Sequence, residues 1–175
     1  MKTCCKSSLF FTLIAMLMLG AINIAGANEG RGRPVGDYSD AVAPQTPFAF
    51  YDINVTKPET MRNFLWVIDS TYDLLISKGV QPCKIKFVVS LRGLSVSFVT
   101  DDFLANDPVG QEIKGYLDSL LAKGVRVEAC QISCDWVGTD PATLQDGVLV
   151  IDNAFASSIW YQRKGYALVP VTELP

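Results

Sequence analysis

From Phe48 onward the chain alternates between two kinds of apolar pattern. Phe48-Ala49-Phe50-Tyr51-Asp52-Ile53 is a β-branched and aromatic run that predicts a strand. Thr56-Lys57-Pro58-Glu59 follows with capping-box spacing and a helix-starting proline. Met61, Phe64, Leu65, Ile68, Tyr72 and Leu75 then recur at steps of three and four, which predicts a helix closed near Gly79. The unit repeats in kind. Lys84 to Ser90 reads as a second strand, Val99 to Leu104 as a short turn of helix, and Ile113, Tyr116, Leu117, Leu120 and Leu121 as one face of a helix ending at Gly124. Val125 to Cys130 is a third strand and Asp140-Pro141 the start of a short helix. Val148 to Ile151 is a fourth strand, Asn153 to Lys164 a helix closed by Gly165, and Tyr166 to Val171 a fifth strand. Strands alternating with helices predict an α/β fold with a parallel sheet covered on both faces.

The amino-terminal part carries no such alternation. Lys2 and Lys6 precede an apolar run, Leu9 to Leu19, broken only by Thr12, and Ala25-Gly26-Ala27 supplies small residues at cleavage-site spacing. The run is shorter than the roughly 20 apolar residues of a membrane span. Residues 1–27 therefore read as a secretory signal, which makes the protein exported, periplasmic or equivalent, with no membrane attachment after cleavage. Residues 28–46, rich in Gly, Pro and Asp, read as a flexible arm, and 47–175 as one α/β domain.

Cleavage changes the chemistry as well as the length. Losing Lys2 and Lys6 moves the formal charge from −3 to −5, so the basic patch of a nucleic-acid binder is missing and nucleic acid is not an expected partner. The chain has no histidine, which disfavours a zinc site or a Ser-His-Asp triad, and no metal is expected. The loop after the first strand lacks a phosphate-cradling glycine pattern, so no flavin or other cofactor is expected. Cys4 and Cys5 leave with the signal. Cys83, Cys130 and Cys134 remain, an odd set in an oxidising compartment.

The carboxyl ends of parallel strands share one edge, where ligands bind. That edge collects Asp52, the Arg92-Gly93 loop, Cys130 to Cys134, and Asp152-Asn153. A helix starting just after Cys130 would turn its amide N–H groups toward the thiol and favour the anionic sulfur, making Cys130 the candidate nucleophile. Cys134, four residues on, would lie one turn away with Cβ atoms ~5–6 Å apart against ~3.8 Å in a relaxed disulfide, so a bond between them would be strained. Both could equally be small buried residues of the core. Cys83 belongs to the opposite edge, roughly 17–20 Å from Cys130, and reads as a structural or spare thiol. Arg92 and Gly93 could offer a cation and a close-approaching backbone to an anion. Asp101 and Asp102 read as helix-start charges, and Trp160-Tyr161 as packing.

Asp52-Ile53, Arg62-Asn63, Lys86-Phe87-Val88-Val89 with Gly93, Leu121-Ala122-Lys123-Gly124-Val125, Ala129-Cys130 and Gln162-Arg163-Lys164-Gly165-Tyr166-Ala167 follow one another in an order and spacing that resembles the DsrE/DsrF-like family, which includes YchN-type proteins and sulfur-relay subunits. The resemblance runs from Phe48 to Val171. It implies a three-layer α/β/α sandwich with a five-stranded parallel sheet, assembled as a homo-oligomer, and a cysteine at the position of Cys130 that can carry sulfur as a persulfide. Members often have a histidine where this chain has Arg92, and the relay members are cytoplasmic. The implied function is handling of reduced sulfur on Cys130, with Cys134 resolving or protecting it and small sulfur species or a thiol protein as partner. The competing expectation is a binding or assembly module of the same fold with structural cysteines, because fold alone does not fix function. Thiol–disulfide exchange ranks lower, since the Cys130–Cys134 spacer is longer than that of a C-x-x-C motif.

Overall fold

Residues 46–173 are described in the computed structural model, all within the compact unit Ser39–Pro175. The expected signal and nearly all of the expected arm lie outside them. Five strands, β1 (Phe48–Asn54), β2 (Lys86–Leu91), β3 (Arg126–Cys130), β4 (Val148–Ile151) and β5 (Ala167–Thr172), pair in parallel in the order β4-β3-β2-β1-β5. Five helices connect them: α1 (Pro58–Ser77), α2 (Asp101–Asn106), α3 (Pro108–Ala122), α4 (Gln131–Val137) and α5 (Ala154–Arg163). The architecture is the α/β/α sandwich expected from the alternating pattern.

Period-two alternation sorts the strand residues between the faces. Tyr51, Ile53, Phe87, Val89, Leu91, Val127 and Ala129 enter the main core with Met61, Leu65 and Ile68 of α1 and Ile113, Leu117 and Leu120 of α3. The opposite residues, Phe50 and Val88, meet Tyr161 of α5 in a smaller cluster. One face thus carries most of the buried apolar surface. The other, under a single helix, carries a polar row in register: Asp52 beside Ser90, and Ser90 beside Glu128.

Helix starts follow sequence chemistry with one correction. Lys57, without a side-chain cap, stands at the N-cap of α1, and Pro58 opens the helix. Thr56 does not form the expected capping box, because its N–H and hydroxyl both donate to Glu173 Oε1 at 2.7 Å. The strand expected from Lys84 starts two residues later, after a 3₁₀ turn over Pro82–Lys84 that Pro82 initiates. The short helix expected near Val99 to Leu104 is α2, and the loop expected before it is ordered. Gly93–Val99 is a 3₁₀ stretch, and Ser95 ties it to the end of β1 by accepting from Val55 N (3.0 Å) and donating to Val55 O (3.2 Å). The loop carrying Gly93 is thereby fixed at the carboxyl edge of the sheet.

Candidate functional site

β3 ends at Cys130, and the chain turns at once into α4, on the main-core side. β4 beside it ends at Ile151 and leads into α5, on the other side. Helices leaving adjacent strands toward opposite faces open a crevice between them, the position where ligands bind in open parallel sheets. A cavity of about 400 Å³ occupies it, lined by Asn54, Arg92, Gly93, Cys130, Ile132, Ser133, Trp136, Asn153, Ala154 and Phe155. Three of the four residues expected to form the site, Cys130, Arg92 and Gly93, therefore meet in one cavity.

Cys130 is the N-cap residue of α4 and its side chain points the other way, to the α5 face. Its Sγ accepts a hydrogen bond from Ala154 N, the first amide of α5, at 3.4 Å. The residue is 5% exposed and lines the cavity. The next two α5 amides, of Phe155 and Ala156, donate to Asn153 Oδ1 at 2.8 and 3.3 Å. A helix start immediately after an Asn is the usual capped arrangement, and here the cap leaves Ala154 N–H for the sulfur.

Arg92 extends along the top of β1. Its Nε and Nη2 donate to Asp52 Oδ1 and Oδ2 at 2.8 and 3.1 Å, a two-pronged pair, and its guanidinium lies 5.2 Å from the centre of the Phe155 ring. The charge expected to face an anion is thus already neutralised. Gly93, at φ +60°, donates its N–H to Ser133 Oγ at 2.9 Å. The positive φ is what favours glycine here, and a Cβ at Gly93 would also make the Asn54 side-chain oxygen shift.

Cys134 does not line the cavity. It is 0% exposed in the main core, and burial, with Cys130 and Asp135 adding to it, pushes its thiol above the ordinary pKa. Cys83 lies in the turn before β2, at the far edge of the sheet. All three thiols are free. Asp101 and Asp102 occupy the first turn of α2, and Tyr161 packs inward while Trp160 stays half-exposed. Among the described residues no group of His, Cys, Asp or Glu could hold a metal, and no helix is long and apolar enough to cross a membrane.

Beneath this cavity, on the same face of β3 and two residues before Cys130, is Glu128. It is 1% exposed, paired with Arg126 Nε, and accepts from Ser157 Oγ (2.6 Å) and Tyr161 OH (3.2 Å). Burial, then the charge of Glu128, pushes the Tyr161 phenol up to about 12. Sequence reading passed over Glu128, although a lone acid in the apolar run Val127-Glu128-Ala129-Cys130 was the available signal. Asp52 stood out only as an edge residue. Its pairing with Arg92 follows from the adjacency of β1 and β2.

No family model and no curated protein matches the chain. Among solved structures, it is similar to a protein of unknown function from Methanobacterium thermoautotrophicum, with a TM-score of 0.55 and 19% identity over 71% of this chain and 98% of that one. At that identity the likeness shows a shared fold.

Proposed function

We propose that this is an exported DsrE-like thiol protein that accepts and carries reduced sulfur on Cys130. The observation that carries the reading is that Cys130 lines the crevice cavity, with its Sγ hydrogen-bonded to Ala154 N–H and the residue otherwise buried. In so buried a residue, a persulfide would be shielded from most competing thiols. Cys134, one helical turn on and buried, can act on that persulfide only if α4 opens, so its role is protective rather than immediate.

Treatment of the reduced protein with inorganic polysulfide should add sulfur atoms to the Cys130 peptide, read by mass spectrometry, and Cys130→Ser should abolish the adduct. A Cys130 that takes up no sulfur would leave the alternative, a binding module of the same fold. The burial of both Cys130 and Cys134 and the neutralised Arg92 are what favour that second reading.

The same proposal includes self-association. Leu149, Ile159, Trp160 and Leu168 are all exposed, on α5 and on strands at the two edges of the sheet. Apolar side chains gathered in this way mark interaction surfaces. Light scattering should give a mass above that of one chain, and Ile159→Lys with Trp160→Glu should reduce it to one.

A further inference from the structure

Building on the proposal that Cys130 carries sulfur, the cavity also bears on which donor it takes. An inorganic sulfur anion such as thiosulfate or polysulfide needs a cation or a set of free N–H donors. Here the cation is spent, since Asp52 holds Arg92 with both carboxylate oxygens. Four backbone donors around the sulfur are taken as well: Gly93 N–H on Ser133 Oγ, Ala154 N–H on Cys130 Sγ, and the N–H groups of Phe155 and Ala156 on Asn153. Much of what the cavity offers is apolar wall. Ile132, Trp136 and Phe155 rim it, with Trp136 82% and Phe155 63% exposed. Its volume of about 400 Å³ falls in the ~300–1,000 Å³ range of pockets that enclose organic ligands and exceeds what a small anion fills.

We propose that this cavity selects an organic persulfide with an apolar carrier group, an aromatic or branched aliphatic thiol of low molecular weight, over inorganic sulfur anions. The carrier packs on Phe155 and Trp136 while its outer sulfur reaches Cys130. The Cys130 thiolate attacks that outer sulfur, forming one S–S bond as the carrier's S–S bond breaks. The products are the Cys130 persulfide and the carrier thiolate, which takes its proton from water. One sulfane sulfur changes hands and charge is conserved, so no external oxidant or reductant is required.

The test compares benzyl hydropersulfide with inorganic polysulfide at equal sulfane sulfur, using the reduced full chain. Rates are read at the Cys130 peptide by mass spectrometry and divided by each donor's rate with a free small thiol. The expected result is a preference of about tenfold or more for the benzyl donor, the scale on which apolar pockets discriminate. Phe155→Ala and Trp136→Ala, both changes at exposed side chains, should cut that preference several-fold by slowing the benzyl donor more than the inorganic one. Equal normalised rates would overturn the organic donor while leaving sulfur carriage on Cys130 intact. A preference unmoved in both variants would overturn its assignment to this cavity. No sulfur on Cys130 from either donor would overturn the carrier reading itself, and this inference with it.

Discussion

Asp52 and Arg92 stand 40 positions apart and meet because β1 and β2 are neighbours in register, with Asp52 opposite Ser90. Their pairing sets the electrostatic character of the cavity at the level of single side chains. A partly buried two-pronged pair is geometrically strong, yet its net charge is zero, so it orients the guanidinium without attracting anions. Removing the acid alone should reverse this. In Asp52→Asn the guanidinium keeps its charge and loses its counter-charge, so an anionic thiol reagent, sulfonatoethyl methanethiosulfonate, should modify Cys130 several-fold faster than in the parent. That gain should shrink with added salt, as a screened attraction does. An unchanged rate would mean that Arg92 does not govern the field at the sulfur.

At the scale of elements, two glycines of α3 have opposite meanings. α2 and α3 are joined through Asp107 alone, whose side chain accepts from Val109 N and Gly110 N. A Cβ on Gly110 would run into the backbone carbonyl of Phe103, so the absence of a side chain is what allows the two helices to approach this closely. Gly115, on the same helix, faces open space. Gly110→Ala should therefore destabilise by ~1–3 kcal/mol through forced displacement of α2. Gly115→Ala should stabilise by roughly 0.5–1 kcal/mol, because alanine loses less backbone freedom in a helix. Urea unfolding midpoints of the two variants should move in opposite directions.

For the whole molecule, the asymmetric layers leave a signature in pH. Burial pushes Tyr51 in the main core and Tyr161 of α5 each up to about 12, and raises Tyr72 and Tyr166 by the same cause. An unfolded phenol loses its proton near pH ~10, so the folded state holds these protons more tightly above that pH. The associated stability is fully present below pH ~10 and is lost as pH rises from there toward ~12. The urea midpoint should fall across that window, and phenolate absorbance should rise late and together with unfolding. Tyr161→Phe should flatten the fall, since it removes one of the two most displaced phenols.

The alternation of strands and helices, the inward faces of α1 and α3, and the closing glycines were legible in the chain because each rests on local periodicity or a single residue's backbone freedom. Gly79, Gly124 and Gly165, read as helix ends, all have positive φ. Cys130, Arg92 and Gly93 were legible as a group because a parallel sheet gathers its carboxyl ends at one edge. Local pattern also misled: Thr56 had the spacing of a cap, but a partner 117 positions away, Glu173, took its hydrogen bonds. Pairings between distant residues were beyond local pattern altogether. Strand order decided that Arg92 meets Asp52. The departure of α4 and α5 to opposite faces decided that Cys130 looks into a cavity while Cys134 is buried in the core. The sequence by itself determined which elements form, since period and propensity act within a few residues. Only the tertiary structure decided which charges are neutralised and which sulfur is reachable, because those depend on contacts the chain makes with itself at long range.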